Sequence, residues 1–84
     1  MENGFLAALE WNAGELGCGE LVLELKGRLD RMRPRQVIKV IALDPGAPAD
    51  MPAWCRLTGH TLLHEEHPVY LIERRVEPWP TSSA

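Results

Sequence analysis

The run "QVIKVIAL" at residues 36–43 constrains the fold more than any other stretch. It is rich in β-branched side chains and almost continuously apolar, which is how a strand reads when other elements cover at least one of its faces. A chain of 84 residues has room for one domain and one modest core. This strand must therefore lie centrally, and the remaining elements must be placed to cover it.

On its N-terminal side, "LAALEWN" at residues 6–12 reads as a first strand, ended by Asn12, Gly14 and Gly17. From Glu20 to Met32 the spacing changes, and Val22, Leu25, Leu29 and Met32 form one helical stripe. Glu24 with Arg28, and Lys26 with Asp30, make oppositely charged pairs four residues apart. Gly27 costs this helix about 1 kcal/mol relative to alanine, so a neighbour packing closely on it is expected. Arg33-Pro34 ends the helix, because the residue before proline is pushed out of the α region.

Beyond the central strand, "DPGAP" makes a turn. Asp50 is the expected N-cap of a second helix, with Pro52 in its first turn, Gly59 as its stop, and Met51, Trp54, Cys55 and Thr58 facing inward. "HTLLHEE" and "VYLIERR" read as two strands meeting in a hairpin at His67-Pro68. The order β-α-β-α-β-β predicts a two-layer α/β sandwich, a four-stranded mixed sheet with both helices on one face. One domain is expected over residues 1–76, with residues 77–84 a disordered tail.

Net charge is −3, and acids alternate with bases along the chain instead of forming a basic block. No direct nucleic-acid partner is expected on that basis. No apolar run is long enough to cross a bilayer, and the N-terminus lacks the cationic start of a secretory signal, so a cytoplasmic protein with no membrane partner is expected. Its two cysteines are then expected as free thiols.

"GELGCGELVLEL" at residues 14–25 sets Cys18 between Gly17 and Gly19 at the mouth of the first helix. Unpaired backbone N–H groups and the positive end of the helix dipole favour a thiolate there, and flanking glycines leave room for a bulky partner to reach it. A small buried hydrophobe is the alternative fate of such a cysteine. Cys55, on a stripe with Met51 and Trp54, reads as a core residue, and the two cysteines do not form a C-x-x-C motif. His60, His64 and His67 match no zinc spacing and are expected to be solvated or to cap the hairpin, so no metal site is expected. Glu65 and Glu66 are adjacent and point to opposite faces of a strand, which excludes a paired acid and base. Neither a phosphate-binding glycine loop nor a Ser-His-acid signature is present.

"LEWNAGELGCGEL", "VIKVIALDPGAPADMPAWCRLTGHTLL" and "YLIERR" together resemble the TusA-like, or SirA-like, sulfur-carrier family over residues 8–75. The strongest parts are Asp44-Pro45, Asp50 and "WCRLTGH" at residues 54–60. The resemblance implies the β-α-β-α-β-β fold and a carrier whose Cys18 holds sulfur transiently as a persulfide, with no other cofactor. It implies a cysteine desulfurase or rhodanese-type donor and an acceptor protein of a sulfur relay. One motif departs: the family's Cys-Pro-x-Pro is here Cys18-Gly19-Glu20-Leu21. The helix start therefore loses two residues that preset φ, and Glu20 adds a carboxylate beside the cysteine. Cys18, with Gly17, Gly19 and Glu20 flanking it, forms the candidate site. A non-catalytic interaction module of the same fold and a thiol redox protein exchanging Cys18 with Cys55 are the other two readings.

Overall fold

Strict alternation in the central strand decides the layering. In β2, Val37–Ala42, the side chains of Ile38, Val40 and Ala42 are buried, while Val37, Lys39 and Ile41 are half-buried on the other face. The computed structural model describes residues 7–76, and of Cys18 the backbone alone. The expected tail, 77–84, lies outside the described residues.

Strand β1, Leu9–Gly14, pairs parallel with β2. It lies later than expected because the parallel register sets Leu9 opposite Ile38 and carries the strand on to Gly14 opposite Ala42. An extra residue, Ala13, bulges at the end of that ladder. Helix α1, Cys18–Asp30, covers this pair. Its buried stripe is Leu21, Leu25 and Leu29, each fully buried, with Met32 just past its end. Leu21 takes the place expected for Val22, which is half-buried, because the helix starts two residues earlier than its apolar pattern indicates. The Lys26–Asp30 and Glu24–Arg28 pairs form at 2.9 and 3.9 Å. The Arg28 guanidinium also lies 4.3 Å from the centre of the Trp11 ring, joining α1 to β1. Nothing packs on Gly27: a Cβ there would meet no atom within 4 Å.

Helix α2, Ala47–Thr58, starts three residues before Asp50. The Asp44 carboxylate accepts a hydrogen bond from the Gly46 N–H at 3.0 Å, and its carbonyl accepts from Ala47. This side-chain turn starts the helix, so Asp50 sits inside the first turn, where its charge suits the dipole. Pro52 consequently lies within the helix and leaves the Pro48 carbonyl without that backbone donor. Gly59 ends α2 as expected, at φ 89°, its N–H bonded to the Cys55 carbonyl. Met51, Cys55 and Thr58 are buried; Trp54 is half-buried at the core's margin.

Strands β3, Thr61–Glu66, and β4, Val69–Glu73, form the expected hairpin through the cis His67–Pro68 bond. The sheet order is β1-β2-β4-β3, parallel between β1 and β2 and antiparallel elsewhere, which is the expected mixed sheet. The stripes of both helices share one core with Ile38, Val40, Tyr70 and Ile72, so both helices cover the same face. The extra residue Leu63 bulges in β3, just as Ala13 does in β1.

Candidate functional site at the start of the first helix

Parallel strands β1 and β2 end on the same edge of the sheet, and both helices begin there. The chain leaves β1 through Gly14, at φ 60°, where the Asn12 Oδ1 accepts from the Gly14 N–H at 2.9 Å. The Gly14 carbonyl in turn accepts from Leu43 at 2.9 Å, which ties the loop to the end of β2. Half-buried Leu16 packs on the core, and Gly17 then turns the chain into α1 in extended conformation. Cys18 is the first residue of the helix. The crevice beyond the carboxyl ends of parallel strands is where open α/β sheets place their ligands.

The first helical hydrogen bond runs from the Leu21 N–H to the Gly17 carbonyl at 2.8 Å. The N–H groups of Cys18, Gly19 and Glu20 precede it and have no partner one turn back. Gly17 offers no side-chain cap, and a Cβ at Gly17 or Gly19 would meet nothing within 4 Å. Glu20 is exposed in the first turn. The four sequence-predicted site residues thus form one continuous loop-to-helix turn with open backbone flanks. The β3–β4 turn reaches the same edge: Pro68 accepts from the Ala42 N–H at 2.9 Å, and His67 Nδ1 lies 2.6 Å from the Tyr70 hydroxyl. His67 therefore stabilises the hairpin, as expected.

The other sequence candidates lie apart from this turn. Cys55 is 2% exposed, and burial pushes its thiol up to about 11. It sits eight residues into α2, about 12 Å along the axis from the start of that helix. His60 is not solvated. It is 5% exposed, its ring centre lies 5.6 Å from that of Trp54, and its Nδ1 accepts from the Arg75 N–H at 3.0 Å. Burial, and then the charges of Arg75 and Arg74, lower its pKa to about 4. His64 is half-buried, its Nε2 3.4 Å from Glu66. Among the described residues, no three His, Cys, Asp or Glu side chains converge on a metal position. No helix there is long and apolar enough to cross a membrane.

The fold and site together define a small two-layer α/β protein whose first helix opens on a cysteine, between glycines at the carboxyl edge of the parallel strands. The family model for sulfurtransferase TusA matches residues 10–74, and the chain belongs to that family. A Neisseria meningitidis serogroup B relative is 46% identical over 48 residues, 57% of this chain. That match spans 65% of the relative's own length. The sulfur carrier protein TusA of Allochromatium vinosum is 37% identical over 57 residues, 68% of this chain and 75% of that protein. The Pseudomonas aeruginosa PAO1 protein of the same name is 34% identical over 55 residues, 66% of this chain and 70% of its own.

Proposed function

We propose that this protein is a cytoplasmic sulfur carrier that holds sulfur on Cys18 as a persulfide. The observation that carries the reading is the position of Cys18 as first residue of an uncapped helix with open backbone on both sides. Family membership and relatives named as sulfur carriers support it. The helix dipole and the unpaired N–H groups favour the thiolate over the thiol. That thiolate attacks the outer sulfur of a donor persulfide, R–S–SH. A bond forms from Cys18 Sγ to the outer sulfur, the S–S bond of the donor breaks, and the donor leaves as R–S⁻. A nucleophile of the acceptor then takes the outer sulfur and returns Cys18 to the thiolate. The donor is a cysteine desulfurase or a rhodanese-type protein, and the acceptor is the next protein of a relay. Neither step needs an acid–base residue from this chain.

Incubation with a cysteine desulfurase and cysteine, followed by intact mass, tests the proposal. One added sulfur, lost on reduction and absent in Cys18→Ser, is expected. No added sulfur on the folded protein from either donor class would sink it. In that event the replacement of both motif prolines, by Gly19 and Leu21, would favour an interaction module of the same fold.

A further inference from the structure

Charges that alternate in the sequence are partly sorted by the fold, although Glu24, Asp30 and Glu73 lie among the bases. Of the nine lysines and arginines, only Lys39 lies away from the end of the molecule opposite Cys18, where α1 and α2 finish and β2 begins. The Cys18 end carries Glu15, Glu20, Asp44, Asp50, Glu65 and Glu66. Lys26 and Arg28 are engaged by Asp30 and Glu24 on α1. Arg31, Arg33, Arg35 and Arg56 are exposed, and no ion pair among the described residues uses them.

Three of these side chains stand on a rigid turn. The Arg33 N–H donates to Gln36 Oε1 at 2.8 Å, and the Gln36 N–H donates to the Arg33 carbonyl at 3.1 Å. The Arg35 N–H donates to Arg74 at 2.9 Å, the Arg74 N–H to Gln36 at 2.8 Å, and Arg74 Nε to the Leu29 carbonyl at 2.7 Å. Arg35 is held at φ 73°, a left-handed conformation that glycine adopts freely and arginine does not. Arg35 is exposed, and the bond from its N–H to Arg74 holds it in a conformation that costs an arginine more than a glycine. Guanidinium forks fit carboxylates in pairs. Among the described residues, the aromatic side chains near α1 and α2 are half-buried, Trp11 beneath Arg28 and Trp54 beside His60, and none is an exposed ring on which a base could stack.

We propose that this arginine-bearing end is a docking surface for an acidic segment of a partner protein. It is separated from Cys18 by the length of α1, about 20 Å, so a partner held there leaves the cysteine end free for a second protein. The use of the surface in sulfur transfer rests on the carrier reading; the binding does not.

The test is fluorescence anisotropy with a labelled deca-glutamate peptide and, separately, a labelled deca-uridylate, on the full chain. Saturable peptide binding that weakens with salt is expected, reduced about tenfold or more in R31E/R33E. Arg35→Gly should also weaken it severalfold while Tm stays equal or rises, because glycine relieves the backbone. A purely structural role for Arg35 would not separate the two readouts. Peptide binding unchanged by these substitutions, no binding even at low salt, or tighter binding of deca-uridylate than of the peptide would each overturn the proposal. Cys18→Ser should leave peptide binding intact. A chain that binds the peptide yet gains no sulfur overturns the carrier reading and leaves this one standing.

Discussion

Acidification should destabilise this protein through His60 in particular. The ring is buried between Trp54 and the β4 exit, and its pKa is lowered from 6.5 to about 4. Folding therefore favours the neutral imidazole. The stability tied to that preference is fully present above pH 6.5 and is lost as pH falls from there towards 4, where the unfolded chain gains a proton that the folded one refuses. Linkage across that interval amounts to about 3 kcal/mol at the acid limit, and to about 2 kcal/mol by pH 5. For a domain of this size that is a large share of a typical 5–15 kcal/mol total. The measurement is urea unfolding of the wild type and of His60→Asn at pH 7.5, 6 and 5. The asparagine keeps an acceptor for the Arg75 N–H, and other titrating groups cancel in the difference. At pH 7.5 the variant should be the less stable, because it loses the ring packed on Trp54. By pH 5 that deficit should shrink by about 2 kcal/mol. A difference between the two proteins that stays constant with pH would refute the reasoning, as would an imidazole titration by NMR showing His60 near 6.5.

In thiol labelling, Cys55 should stay unmodified in the native protein while Cys18 reacts, and both should react in denaturant; native labelling of Cys55 would contradict its burial. Gly27→Ala should stabilise by about 1 kcal/mol, since the Cβ enters open space within the helix. Gly59→Ala should destabilise by about 1–2 kcal/mol, because φ 89° disfavours any Cβ and this one would lie 3.1 Å from Arg75 Cδ; equal melting temperatures for the two alanine variants would refute both. Restoring the family's prolines should split by position. Gly19→Pro should be tolerated at a first-turn N–H without a helical partner. Leu21→Pro should cost about 3 kcal/mol or more, because it removes both the bond to Gly17 and a fully buried side chain.

The order of elements was legible because the apolar period changes from two to 3.6 and back, and because proline and glycine sit at the changes. The start of α2 was not. Asp50 has the right residue type for a cap, but the turn built by Asp44 and Gly46 captures the helix first, and two residue types of equal promise cannot be ranked by pattern. His60 carries no sequence sign of burial, since only tertiary packing brings Trp54 of α2 and, through the β3–β4 pairing, Arg75 to it. The candidate site was legible as a glycine-flanked cysteine before an apolar helix. The arginine end was not read, although "RMRPR" at residues 31–35 was a signal for it. Counting charges along the chain hides what antiparallel return and parallel crossover bring to one end.

The two bulges bear on how the protein behaves at high concentration. Both extra residues, Ala13 and Leu63, fall in the outermost strands, β1 and β3, and neither falls in the inner pair. A regular outer strand would offer its unpaired N–H and C=O groups as a template to any exposed strand of another molecule, the first step towards domain exchange or fibrils. A bulge twists the strand and breaks the even spacing that such a template requires. Removing Leu63 would slip part of β3 by one residue and turn its side chains over. It would also straighten an outer edge of the sheet. The irregularities that interrupt the pairing thus make both outer edges of the four-stranded sheet poorer templates for a fifth strand.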